Sequence, residues 1–135
     1  VVTNELTRSM VKRASRSRIL WVDDRPDNNR SIRKSFEALG IDVMSARSTE
    51  EAMVLLETKR FDLVISDMGR PPDTRAGYTL LSEMRGRSLD LPVLIYAAGG
   101  SLPQHRKEAR EKGAAGSTNR ATELFSMAMD VLRGA

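Results

Sequence analysis

A doubly wound α/β fold, with a five-stranded parallel sheet and helices on both faces, is what this sequence predicts. Three observations carry that expectation. Five short apolar runs alternate with five segments of helical period, the pattern of strands buried on both sides by the helices that connect them. The chain has 135 residues, the size of one domain able to bury an ordinary core. Apolar residues make up 40% and charged residues 30%, a balance that excludes both a disordered chain and a membrane-embedded one.

The first strand is Ile19-Leu20-Trp21-Val22, ending at Asp23-Asp24. Pro26 suits a first helical turn, where its missing N–H costs nothing. Ile32, Phe36 and Leu39 then mark one helical face, and Gly40 supplies a stop. The second strand is expected over Asp42–Ala46. Ser48-Thr49-Glu50-Glu51 reads as a capping box that opens a helix with Met53, Leu55 and Leu56 inward. The third strand, Phe61–Ser66, runs directly into Asp67. Pro71 and Pro72 keep the following loop from being helical, so the next helix is expected from Gly77 to Arg85. Leu91–Tyr96 is the fourth strand, Ala97–Ser101 a turn of small residues, and Pro103–Lys112 the fourth helix. Ala114–Ser117 is read as the fifth strand and Ala121–Leu132 as the last helix.

Residues 1–17 stand apart as a basic N-terminal extension or linker, leaving 18–135 as the domain. The extension holds Arg8, Lys12, Arg13 and Arg16 against Glu5, a net charge of +3 out of +4 for the whole chain. The pI of about 9.8 is therefore a property of the tail. A nucleic-acid footprint should be a patch on the folded body, and aromatic platforms are scarce, so no nucleic-acid partner is expected. Val2, Leu6 and Met10 recur at a helical interval, which leaves open a short docking helix or a membrane-surface anchor beside the linker reading. No apolar run approaches the roughly 20 residues needed to cross a bilayer. With no cysteine, disulfides and thiolate metal sites are excluded. A cytoplasmic location and no membrane partner are the expectation.

The chemistry-bearing residues lie at strand ends. In an open parallel sheet, ligands bind outside the carboxyl ends of the strands, where the strand order reverses. If the order is 2-1-3-4-5, the first and third strands are neighbours there, and Asp23, Asp24 and Asp67 share one shallow pocket. Two unit charges about 4 Å apart repel by about 4 kcal/mol at an effective dielectric of about 20. Such a cluster must protonate in part or recruit a cation. Hard oxygen ligands with room for water suit Mg²⁺, and a carboxylate beside that ion can act as a nucleophile toward a phosphoryl group. A single Asp at a strand end is ordinarily a turn or capping residue. The specific signal is the combination with the strand–helix alternation around it.

At this point the chain resembles the receiver domain of bacterial response regulators. The matching text is RILWVDD at 18–24, FDLVISDMGRP at 61–71, GYTLL at 77–81, LPVLIYAA at 91–98 and KGAAG at 112–116. The resemblance implies a flavodoxin-like fold and a phosphoryl group arriving from a phosphohistidine on a histidine kinase or phosphotransfer protein. It implies Asp67 as phosphoacceptor, with Mg²⁺ bound by Asp67, by Asp24 and by the Gly69 backbone carbonyl, and by Asp23 through a water. The Ala98 N–H would face the phosphoryl oxygens. The domain would be a phosphoacceptor rather than an enzyme. Receiver dimers through the fourth helix, fifth strand and fifth helix make a homodimer a further expectation.

The departures from that family matter as much. Receivers usually carry a Thr or Ser hydroxyl where this chain has Ala97, a Lys where it has Arg120, and an aromatic where it has Ser117. Ala97 cannot donate to a phosphoryl oxygen. Arg120 keeps the charge and can grip phosphate bidentately, but is not equivalent to Lys. Without an aromatic at Ser117, the usual coupled switch cannot operate, and Tyr96 is read first as core. A pseudo-receiver, binding partners without phosphorylation, is therefore the alternative, with Leu124, Phe125, Met127 and Met129 as either partner surface or core. An enzymatic or nucleotide-binding reading is weaker. No GxxxxGK[ST] or GxGxxG follows a strand, Gly99-Gly100 is only a short turn, and the single histidine, His105, is expected at the surface.

Overall fold

The computed structural model describes residues 16–97 and 103–134. The expectations placed on residues 1–15 and on Ala98, Gly99, Gly100 and Ser101 lie outside the described residues. Five strands form one parallel sheet: β1 (Arg18–Val22), β2 (Asp42–Ala46), β3 (Leu63–Ser66), β4 (Val93–Tyr96) and β5 (Gly116–Thr118), in the order β2-β1-β3-β4-β5. Among the described residues four α-helices connect them, α1 (Arg30–Ala38), α2 (Thr49–Thr58), α3 (Ala76–Gly86) and α4 (Pro103–Glu111), and a fifth, α5 (Ala121–Gly134), follows β5.

Side chains of successive strand residues point to opposite faces, and this sorts the core into two layers. Leu20, Val22, Val64, Val93 and Ile95 pack with Met53 and Leu56 of α2, Leu80 and Met84 of α3 and Ala109 of α4. Ile19, Trp21, Leu63, Ile65 and Leu94 pack on the other side with Phe36 of α1 and Leu124, Ala128 and Leu132 of α5. The continuous apolar runs are thus explained, since every residue of β3 is buried.

Local signals operate as expected at two helix ends. The Ser48 hydroxyl oxygen accepts the Glu51 N–H at 3.0 Å and so opens α2. Gly40 ends α1 at φ 86°, the left-handed conformation that glycine adopts without a Cβ penalty. Four elements start at least two residues later than the sequence expectation. Pro26–Asn29 forms a 3₁₀ turn, and α1 starts only at Arg30. Phe61 stays buried but precedes β3; beside it the Arg18 N–H donates to the Asp62 carboxylate at 2.9 Å and not to a backbone carbonyl. Pro92 has no N–H for the ladder, so β4 begins at Val93. β5 lies two residues later than expected at its start, because the Ala115 N–H donates to the Val93 carbonyl at 2.8 Å and sets Leu94 opposite Gly116.

The last helix resolves an ambiguity of the sequence. Leu124 is wholly buried, so core packing accounts for it, and Phe125, Met127 and Met129 are partly buried against the same layer. Tyr96 sits edge-on to Trp21 at 6.2 Å between ring centroids, also within this layer. Among the described residues no helix is long and apolar enough to cross a membrane.

Candidate functional site

The acidic residues meet because β1 and β3 are paired. Val22 lies opposite Ser66, so the next residues, Asp23 and Asp67, leave the sheet side by side. The Asp67 N–H donates to the Val22 carbonyl at 3.0 Å, and the Asp23 N–H to the Ala46 carbonyl at 2.9 Å. One carboxylate oxygen from each of Asp23, Asp24 and Asp67 lies within 4.8 Å of the other two. Hard oxygen donors at this spacing can surround one divalent ion.

The three carboxylates are not equivalent. Asp23 is held on both oxygens by protein donors, the Arg25 N–H at 2.7 Å and the Asn29 amide at 2.6 Å. Asn29 is buried, so this contact fixes the Asp23 carboxylate from inside. Asp67 faces Arg70, whose guanidinium donates to Asp67 Oδ1. Only 6% of the Arg70 side chain is exposed, and its remaining partners are Ser66 Oγ at 3.0 Å, Thr49 Oγ1 at 2.8 Å and the Ala76 carbonyl at 3.2 Å. The backbone around it is closed as well. Arg70 and Asp73 exchange both N–H···O bonds at 2.8 Å.

These surroundings set the charge state of Asp67. Burial pushes its carboxyl up to about 7; Arg70 opposes the rise, as a charge and as a donor, while Asp23 and Asp24 add to it. Desolvation wins over the single Arg. The pocket is therefore short of positive charge at neutral pH, which is the electrostatic condition under which a bound cation is favoured.

Gly77, in the first turn of α3, packs against the backbone of Asp67 and Met68. Its N–H donates to the Met68 carbonyl at 2.8 Å, and a Cβ at this position would stand 2.7 Å from the Asp67 carbonyl oxygen and 3.1 Å from Ile95 Cδ1. Backbone cannot give way as a flexible side chain can. Gly77→Ala is therefore expected to lower unfolding free energy by about 1–3 kcal/mol, despite a helix-propensity gain of at most about 1 kcal/mol. Urea unfolding checks this, and Gly86→Ala, where a Cβ meets nothing within 4 Å, is the control.

The other sequence candidates are spread around this centre. Ala97 and Ser117 line a cavity of about 200 Å³ together with Met68, Tyr78, Ile95 and His105. That volume lies below the range usual for small-molecule pockets. Arg120 points to Glu123, at 3.5 Å on an exposed face, and its N–H donates to Thr118 Oγ1 at 3.1 Å. Gly69 is exposed between Met68 and Arg70, two residues after Asp67. Sequence reasoning missed Arg70 and Asn29. An Arg in a Gly-Arg-Pro loop reads as solvated, and its only signal was a position three residues from Asp67.

Fold and site together define an open α/β domain with an acidic cluster at the carboxyl edge of its sheet. Comparison with known proteins agrees. The family model for the response regulator receiver domain matches residues 19–120. The response regulator protein PilR of Pseudomonas aeruginosa is 38% identical over 88 residues, which cover 65% of this chain and 19% of PilR. The sensor histidine kinase RcsC of Escherichia coli is 32% identical over 95 residues, covering 70% of this chain and 10% of RcsC. The receiver domain of Francisella response regulator 1452 superposes with a TM-score of 0.77 at 25% identity, covering 87% of this chain and 98% of that one.

The chain belongs to the response regulator receiver domain family, the receiver class of two-component signalling. It spans less than two thirds of the length of the curated relatives it matches. Phosphorylation on an Asp is general to this family. Its members bind Mg²⁺ at an acidic pocket and interact with histidine kinases or phosphotransfer proteins.

Proposed function

We propose that Asp67 is the phosphoacceptor of this receiver, taking a phosphoryl group from a phosphohistidine on a histidine kinase or phosphotransfer protein. The observation that carries this is the convergence of Asp23, Asp24 and Asp67 within 4.8 Å at the carboxyl edge of the sheet. An Asp67 oxygen attacks phosphorus, the P–N bond breaks, and the imidazole leaves with its electron pair and takes a proton. Asp24, Asp67 and the Gly69 carbonyl would hold Mg²⁺ directly, and Asp23, already engaged by Arg25 and Asn29, would reach it through a water. The ion would offset charge on the phosphoryl oxygens. The Ala98 N–H and Arg120 are assigned to those same oxygens, which requires Arg120 to exchange Glu123 for phosphate. Residues 18–135 form the receiver and 1–17 its basic extension.

The test is incubation with Mg²⁺ and a small acyl phosphate, read by intact mass. Wild-type protein is expected to gain one phosphoryl group and Asp67→Asn none. No mass gain at saturating donor overturns the assignment.

A second reading is favoured by a specific observation. Arg70 already occupies Asp67, and neither Ala97 nor Ser117 supplies the hydroxyl–aromatic switch. A pseudo-receiver would bind its partner without phosphorylation. Partner affinity that is equal for wild type and Asp67→Asn, with and without donor, would establish that reading.

A further inference from the structure

We infer that Arg70 is a resident counter-cation of the phosphoacceptor, and that it competes with the divalent ion for the Asp67 carboxylate. The inference rests on the proposed metal site and deepens it. Arg70 is built into the fold and is not a mobile surface side chain. Its guanidinium has one charged acceptor, Asp67, and three neutral ones, Ser66 of β3, Thr49 at the start of α2 and the Ala76 carbonyl at the start of α3. The neutral acceptors come from three separate elements, so they aim the fork at Asp67 even when that carboxylate is engaged elsewhere. The planar guanidinium suits such a task because its donors are held in a rigid array.

Two consequences follow from electrostatics. In the unphosphorylated protein the guanidinium, in direct contact with Asp67 Oδ1, offsets part of the charge of the three neighbouring carboxylates while the pocket as a whole stays short of positive charge. A divalent ion entering the cluster must then bind within a few ångströms of a fixed, buried positive charge, and its affinity is lowered. Once Asp67 carries a phosphoryl group, the added negative charge and acceptor oxygens lie within reach of the same fork. Arg70 thus disfavours the ion in the resting state and becomes a positioning residue for the phosphorylated one.

The test is Mg²⁺ binding by isothermal titration calorimetry at about pH 9, where protons no longer compete for the carboxylates. Wild type is compared with Arg70→Gln, Arg70→Lys and Asp24→Asn. Arg70→Gln leaves a polar amide in the pocket and removes the charge, so Mg²⁺ is expected to bind at least about tenfold more tightly. Arg70→Lys loses the guanidinium fork but keeps the charge, and its Mg²⁺ affinity is expected to stay within about threefold of wild type. Mg²⁺ affinity in Arg70→Gln that is unchanged or weaker, with wild-type binding that is lost in Asp24→Asn, overturns the role of Arg70 and leaves the metal site standing. An absence of Mg²⁺ binding in every variant removes the metal site, and this inference with it.

A second measurement does not depend on Arg70→Gln folding. In wild-type protein, the side-chain ¹⁵N resonance of Arg70, identified by its loss in Arg70→Lys, is expected to move on saturation with Mg²⁺. A resonance that stays in place overturns the competition.

Discussion

In the presence of a chelator, wild-type protein is expected to lose about 2–4 kcal/mol of unfolding free energy as pH rises from about 4 to about 8, and Asp67→Asn is expected to lack that loss. The sign follows from proton binding. The Asp67 carboxyl sits at about 7 in the folded protein against 3.8 for the free side chain. Between those values the folded state holds a proton that the unfolded state has released. Stability is therefore fully present below about pH 4, falls as pH climbs through about 7, and stays at the lower level above it. A full shift of this size corresponds to about 4 kcal/mol, and solvent screening at the 14% exposed side chain makes that the upper end of the expected range. The half-buried carboxylates Asp73, Glu108 and Glu123 are held below their usual range by hydrogen bonds to Thr79, Arg75 and Thr118 respectively, and they tilt the curve the other way in both proteins. The difference between wild type and Asp67→Asn isolates the single group. Urea unfolding at a series of pH values measures it, and parallel curves for the two proteins would show that Asp67 titrates normally. Mg²⁺ added above about pH 7 should recover stability in wild type, since an ion that binds only the folded state stabilises it by mass action.

Phe36→Ala is expected to cost about 3–5 kcal/mol, as large an effect as any single core truncation here. Phe36 is 0% exposed. It is the buried residue of α1, and it joins that helix to both the sheet and the last helix. Its ring meets Trp21 edge-on at 6.4 Å between centroids and stacks on Phe125 at 5.0 Å. Truncation removes both ring contacts and opens a cavity between α1, β1 and α5 that none of these elements can close alone. Trp21 reports the change directly, because it is the only tryptophan and lies against the vacated space. Val54→Ala on the exposed face of α2, where the residue is 59% exposed, should stay within about 0.5 kcal/mol. A Phe36→Ala loss below about 1.5 kcal/mol would mean that α1 is held by something other than this aromatic contact.

These two residues illustrate a wider division. Phe36 was legible because amphipathic period and burial are local properties of a helix, readable from Ile32, Phe36 and Leu39 in one segment. Asp67 was legible because a strand end is marked by where an apolar run stops. Asp23 and Asp24 were legible for the same reason. The alternation of runs implied a parallel sheet, and the general rule for such sheets placed all three carboxylates at one edge before any contact was known. Strand ends defined by pairing partners were read less well. The shift of β5 to Gly116–Thr118 follows from an Ala115–Val93 hydrogen bond, which no local pattern encodes.

What the sequence by itself determined is the alternation of strands and helices, the two-sided core and the three acidic residues at the carboxyl edge, because each depends on periodicity or chain punctuation over a few residues. What only the tertiary structure decided is how that edge is electrically balanced. Arg70 gathers acceptors from positions 4, 21 and 6 residues away, Asn29 reaches back to Asp23, and Arg120 turns to Glu123. A charged side chain reads as solvated until packing shows which elements enclose it. Whether it ends buried against a carboxylate or exposed beside one is a property of the assembled sheet and helices.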